Sequence, residues 1–398
     1  MSDAFNGAED DVEAAIEAAE EITDPVGDEA HQTPRLLVEN HSPHTTVAGL
    51  RDILAEAGEL YDRGVVVRLV FDPVQKGMVA RMMTADDLVL MTHWLCRPYA
   101  ITKGEEKNVR FPRPFAVMYL GWREGWQLLP LNGIASAPLL KEDGTIHSIE
   151  GYDVASGMYC ENVPNLIGLV PERPTQAQAE AGLQLVRKFF KTFCYADAET
   201  LPDASGISSV DTSKAPGRDE SSFLVGLLTA VCRPSLYLAP GVLFRAAPMS
   251  GAGAGNCLLA RCMCLIAFGR DPHAVTAGGT SEELEKRIAA ELIEGSPVLF
   301  LDNLNNMAFK SDLLASAITE RPARVRLLGK SQMLPLNASA FVILTGNGLT
   351  VSEDLARRFV TVDFDPRTED PEARPFKGDI RAQVIERRAR VPGSRRTG

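Results

Sequence analysis

The 398-residue chain lacks any apolar run near the roughly 20 residues that cross a bilayer. Its start, MSDAFNGAEDDVEAAIEAAEE, lacks the basic opening and apolar centre of a secretory signal. These absences predict a cytoplasmic protein with no membrane partner. Histidine is scarce, with 6 residues, and the 7 cysteines (Cys96, Cys160, Cys194, Cys232, Cys257, Cys262 and Cys264) are irregularly spaced. The cluster NCLLARCMC has no histidine nearby and no second CxxC pair. The thiols therefore read as reduced core residues rather than as a disulfide framework or a metal site. Residues 1–30 contain no lysine or arginine but 11 acids, so the formal charge of −12 belongs to this leader. The remaining chain balances 42 acids against all 41 basic residues and is not repelled from nucleic acid.

Hydrophobic patterning divides the chain. Residues 1–33 show no core-forming pattern and read as an acidic disordered leader. Residues 34–172 read as a small α+β region, winged-helix-like in its helices followed by strands. TTVAGLRDILAEAGELYDRG has helical spacing, VVVRLVF is a strand, and TADDLVLMTHWLCRPY is a helix capped by Thr84. A hairpin is expected around Asp143-Gly144. Residues 173–235 read as a helical connector, with a long amphipathic helix, the polar loop LPDASGISSVDTSKAPGRDES and a buried helix. From residue 236 to 376, strands and helices alternate. Continuous apolar strands in such an alternation predict an α/β fold with a mostly parallel sheet. Residues 377–398 form a basic, helix-poor tail that could touch phosphates or lie solvated.

The chemistry centres on AAPMSGAGAGNCLLAR, residues 246–261, between the strand GVLFRAA and the helix NCLLARCMCLIAF. Gly251, Gly253, Ala254 and Gly255 have the spacing of a phosphate-cradling loop. Their backbone N–H groups, with the helix start at Asn256 and Cys257, would hold anions. Further along, VLFLDN ends an apolar strand at Asp302, which is placed to hold Mg²⁺ beside the phosphates. The strand FVILTGN ends in Asn347, whose amide could orient an attacking water. DLARRF follows with Arg357 and Arg358, either of which could reach the terminal phosphate of a neighbouring subunit. Each residue has a plainer reading: a strand-end cap for Asp302, a turn for Asn347, a surface ion pair for one of the arginines. The order of all four carries more weight than any one.

In that order the chain resembles the AAA+ ATPases, and most closely the superfamily 3 ring helicases and the primase-helicases of phages, plasmids and integrated elements. The resemblance covers about residues 85–375 and implies an AAA+ P-loop core. It assigns the nucleotide loop to Gly251–Cys257, the metal aspartate to Asp302, the sensor to Asn347 and the arginine finger to Arg357 or Arg358. It also implies that the hairpin RVRLLGKSQMLPLN carries Lys330 at a tip that grips single-stranded DNA, flanked by Arg324 and Arg326. LPLNGIASAPLLKEDGTIHSIEGYD resembles the segment that precedes the ATPase in mobile-element primase-helicases. The implied cofactors are ATP and Mg²⁺. The implied partners are single-stranded DNA, further copies in a homo-oligomeric ring, and a primase or an active helicase on another chain.

The loop departs from that pattern. Asn256 stands where lysine would neutralise the phosphates and brings no charge. Cys257 stands where a hydroxyl would meet magnesium, which prefers hard oxygen. Asn303 follows Asp302 where a glutamate would polarise water, and an amide cannot act as a base. Arg261, one turn into the helix, is expected to point elsewhere. Weak nucleotide binding with slow or absent hydrolysis follows, as does the alternative of an inactive nucleotide- or DNA-binding subunit. A dinucleotide-binding oxidoreductase is disfavoured, because Asn256 takes the third glycine position and no acid ends a second strand.

Overall fold

The computed structural model describes residues 33–166, 168–202, 207–246, 255–276, 278, 280–327, 333–368 and 378–389. Its centre is a sheet of five strands: β1 (Gly241–Ala246), β2 (Ala274–Thr276), β3 (Val298–Asp302), β4 (Phe341–Asn347) and β5 (Phe359–Phe364). Their order is β2-β3-β4-β1-β5 and every neighbouring pair is parallel. The expected α/β class and parallel sheet are present, and this arrangement is compatible with a P-loop-like fold. β3 is buried along its whole length and β4 up to its last residue, as strands covered on both faces must be.

The two faces are read off β3 by its period of two. Val298 and Phe300 pack with one cluster, Leu299 and Leu301 with the other. The first face is covered by α1 (Gln176–Phe190), α2 (Arg218–Cys232) and α3 (Asn256–Phe268), through Phe190, Phe223, Cys262, Met263 and Cys264. α1 opens on a reciprocal cap in which Thr175 and Gln178 satisfy each other's backbone N–H groups. Burial pushes the Cys262 thiol up to about 12. The opposite face is covered by α4 (Ser281–Glu294) and α5 (Asp312–Thr319), through Ile288, Leu292 and Leu314.

The N-terminal region is α+β, as expected. Helices Pro43–Ala57, Ala85–Leu95 and Arg113–Gly121 enclose their own core around Leu50, Leu54, Leu88, Phe115 and Tyr119. Among the described residues three mixed sheets accompany them, two of three strands and one of four. In one of the three-stranded sheets, Arg35–Leu37 pairs in parallel with Arg97–Tyr99, a pairing that a reading of helices followed by a wing does not anticipate. The hairpin around Asp143-Gly144 is present, with Leu139–Leu140 paired to Ile146–His147.

This region is fastened to the parallel-sheet core. Tyr61, Val67, Ala80 and Leu131 share a cluster with Leu292, Leu299 and Leu344. Arg63 donates to the carbonyls of Leu292 at 2.8 Å, Ile293 at 2.9 Å and Leu131 at 3.0 Å. Two of these acceptors belong to the last turn of α4, where helix carbonyls lack intrahelical partners. Burial draws the Arg63 pKa down to about 10.

Two local expectations are corrected. The polar stretch after residue 200 is not all loop: Thr200–Pro202 and Ser208–Val210 pair as a short antiparallel ribbon. The C-terminal stretch is not helix-poor in its described part. α6 (Ile380–Ala389) packs on α3, burying Val384, and Arg388 donates to the Ser136 carbonyl at 2.9 Å. A pattern of scattered arginines hid this helix, because one of them spends its charge on buried carbonyls rather than on solvent.

Candidate functional site

The candidate site lies at the carboxyl ends of β1, β3 and β4, the edge at which open parallel sheets receive ligands. Of the glycine loop, Gly251, Gly253 and Ala254 lie outside the described residues. Gly255 is described: it is the N-cap of α3 at φ +87°, a left-handed conformation that glycine adopts without strain. Gly255 has no side chain with which to cap α3, and Asn256 Oδ1 accepts from the Cys257 N–H at 2.9 Å, so the positive end of the helix is left only partly open to the site.

Because β4 lies between β1 and β3, the residues singled out from the sequence are brought together. Asn256 Nδ2 donates to Asn347 Oδ1 at 3.1 Å. Cys257 Sγ lies 3.3 Å from Asp302 Oδ2. Asp302 is 5% exposed. The Asn303 backbone N–H donates to Asp302 Oδ1 at 3.0 Å from a left-handed φ of 60°. Asn305 and Asn306 then fold this segment against the end of β4: Asn347 N–H donates to Asn305 Oδ1 at 2.7 Å, and Asn306 N–H to the Asn347 carbonyl at 2.8 Å. Asparagine suits this path because it tolerates left-handed backbone and bonds locally.

Two further participants were not picked out from the sequence. Thr345 is buried in β4 and its hydroxyl donates to Asp302 Oδ1. Its signal was a polar residue in an apolar strand, two positions before Asn347 and so on the same face. Arg261 corrects the expectation that it points elsewhere. It stands four residues after Cys257 on the same face of α3. Its Nε donates to Cys257 Sγ at 3.3 Å and its Nη2 to Asp302 Oδ2 at 3.4 Å. The guanidinium also sits 3.7 Å from Asp271 and 5.2 Å from the Phe300 ring centre. Burial pushes the Cys257 thiol pKa up, with Arg261 acting against it.

These contacts bear on a magnesium ion at Asp302. Oδ1 already accepts from the Thr345 hydroxyl and the Asn303 N–H, and Oδ2 faces a thiol and a guanidinium. Magnesium requires near-octahedral hard oxygen at about 2.0–2.1 Å. The donor set around Asp302 does not fit it.

The remaining candidates lie elsewhere. Phe359 pairs with Gly241, so Arg357 and Arg358 sit at the amino end of the sheet. Five strand steps, about 17 Å, separate that register from Ala246 at the loop end. Both arginines pair with Asp354; the Arg357 side chain is 72% exposed and that of Arg358 22%. The hairpin before β4 is present: Ala323–Arg326 pairs antiparallel with Met333–Leu336. Ala323 and Val325 point inward while Arg324 and Arg326 are exposed on the other face. Lys330 lies outside the described residues. Among the described residues no helix is long and apolar enough to cross a membrane, and no group of three or more His, Cys, Asp or Glu side chains could hold a metal.

No family model matches this chain, and no curated protein is similar to it. Among solved structures it is similar to an inhibitor-bound JCV helicase, at 13% identity and a TM-score of 0.25, over 44% of this chain and 56% of that one. The chain thus spans just over half the length of that helicase. A likeness this slight leaves the fold to be read from strand order and contacts.

Proposed function

We propose that this chain is a replication protein of a mobile element, related to the AAA+ ring helicases, that binds ATP weakly, binds single-stranded DNA and hydrolyses ATP slowly. The observation that carries this reading is the convergence of the α3 start, Asn347 and Asp302 at one sheet edge, linked by Asn256–Asn347 and Cys257–Asp302. A glycine loop running into a helix start favours an anion. Slow hydrolysis follows from chemistry: losing a preorganised transition-state donor typically costs about 10²–10³ in rate, and Asn256 offers only a neutral amide. Arg357 lies at the opposite end of the sheet from Ala246, so the proposal includes a ring in which it serves the next copy's site. The exposed face of Arg324 and Arg326, both on one strand of the hairpin, supports contact with nucleic-acid phosphates.

A second reading is a subunit that holds nucleotide or DNA beside an active helicase or primase without turnover. It is favoured by Asn256, whose amide is spent on Asn347. The test is ATP binding and hydrolysis by the full chain, with and without single-stranded DNA. Saturable binding with turnover well under about 1 s⁻¹ is expected. Ordinary turnover that Asp302→Ala abolishes would refute impaired hydrolysis; absence of ATP binding would refute the first reading and leave the second only as a DNA-holding subunit. A variant combining Asn256→Lys and Cys257→Thr separates the two. A rise in turnover supports a weakened ATPase, and none with ATP still bound supports the inactive subunit.

A further inference from the structure

We infer that Arg261 is the resident cation of this site, standing on Asp302 in place of a divalent metal, so that nucleotide phosphates bind without magnesium. The inference rests on the proposed nucleotide site and goes beyond it.

Three observations support it. The first is direction. Side chains on a helix lean toward its amino end, so an arginine one turn into α3 runs back toward the helix start. Its guanidinium accordingly reaches Cys257 Sγ and Asp302 Oδ2. The second is charge. Asp302 is the buried carboxylate at this edge, and its single charge is matched by Arg261. Asp271, the next nearest acid, is shared between Arg261 and Arg381. A dication would have to displace a guanidinium rather than fill an acidic vacancy. The third is spare capacity. A guanidinium carries five N–H groups in a rigid fork suited to phosphate oxygens, and the Arg261 side chain remains 25% exposed. Burial alone would lower the Arg261 pKa, but Cys257, Asp302 and Asp271 outweigh it and raise it, so the cation is permanent.

The arrangement also accounts for Cys257. A hydroxyl there would be a ligand for magnesium, whereas a thiol accepts a weak hydrogen bond from Arg261 and leaves the guanidinium as the positive group.

The experiment is equilibrium binding of ADP and ATP to the full chain by calorimetry, once in magnesium and once in EDTA. Affinities within about twofold of each other are expected, since no metal bridges the phosphates. Arg261→Gln should weaken binding in EDTA by about tenfold or more, as removing a charge-assisted hydrogen bond does, and Arg261→Lys should retain part of it. Arg261→Gln leaves Asp302 buried without its cation, so the double variant Arg261→Gln with Asp302→Asn serves as the folded control; it should bind as weakly in EDTA. Arg261→Gln combined with Cys257→Thr frees the carboxylate and supplies a hydroxyl, and should gain magnesium dependence. Binding of the wild-type chain that requires magnesium would overturn this inference and leave the proposed nucleotide site standing. Unchanged binding by a folded Arg261→Gln variant would also overturn it. No binding under either condition would overturn the nucleotide site itself, and this inference with it.

Discussion

Asn256 and Asn347, 91 positions apart, are joined by one hydrogen bond of 3.1 Å between the first residue of α3 and the last of β4. The sheet order makes this possible. β4 is the direct neighbour of β1, and Ala246 is in register with Asn347. Asn256→Ala and Asn347→Ala each break the same bond, so their effects on stability should not add. A double-mutant cycle in urea should return a coupling of about 0.5–1.5 kcal/mol. Strict additivity would show that the two amides do not meet in solution.

Gly346 precedes the sensor position under the backbone of Leu304. A Cβ there would lie 2.6 Å from the Leu304 carbonyl oxygen and 2.8 Å from its carbon. These are backbone atoms that cannot rotate away. Gly346→Ala should destabilise the chain by about 1–3 kcal/mol and loosen the Asn305–Asn347 contact. Thr345→Val should cost a similar amount, about 1–3 kcal/mol, by leaving the buried Asp302 oxygen short of a donor. Thermal melts of the two variants are the measurement, and wild-type midpoints would contradict the packing described for this edge.

Arg63 binds the N-terminal region to the end of α4 through two carbonyls of that helix, while a third bond goes to Leu131 of its own region. Arg63→Met keeps most of the volume and removes the donors, and should cost about 2–3 kcal/mol. Arg63→Lys should recover little, because an ammonium cannot reproduce a planar fork across three acceptors. The urea midpoint reports the cost. A midpoint unmoved by Arg63→Met would mean that the two parts do not depend on this side chain.

Arg324 and Arg326 share the exposed face of the hairpin. If that face meets phosphates, Arg324→Ala and Arg326→Ala should weaken single-stranded DNA binding by the same factor for every sequence. The slope of log affinity against log salt should fall by about 0.7 for each phosphate that is no longer neutralised. A weakening confined to certain sequences would instead indicate base reading. Titrations at several salt concentrations decide it.

Asp87 and Thr84 close a reciprocal cap on the helix Ala85–Leu95. The Thr84 hydroxyl and backbone N–H both donate to the Asp87 carboxylate and hold its pKa below the ordinary value of 3.8. A carboxyl whose folded pKa is depressed adds stability that is present above its unfolded value and is lost as pH falls through the folded one. Asp87→Asn should therefore remove part of the acid sensitivity below about pH 4 and leave the slope at neutral pH unchanged. Thr84→Ala should cost about 1 kcal/mol at pH 7. Stability measured across that range tests both.

Much of this molecule was legible in its sequence. Period-two and period-3.6 patterning are local, so the strands ending at Asp302 and Asn347, the helix after Gly255 and the Thr84 cap could be read from neighbouring residues. The helix start at Asn256, Asp302 and Asn347, singled out from their order along the chain, meet at one sheet edge, whereas Arg357 and Arg358 lie at its other end. Arg261 was not legible in its role, because an arginine one turn into a helix faces solvent or site according to what stands opposite, and Asp302 is 41 positions away. Thr345 was hidden for the same reason. Arg388 was read as part of a basic tail that touches phosphates or lies solvated, yet it reaches Ser136 across 252 positions. The sequence by itself determined most of the strands and helices, since these depend on residue type and near spacing. Only the tertiary structure decided which charges meet. Pairing a buried carboxylate with a guanidinium depends on strand order and the distance between faces, and neither is written in local pattern.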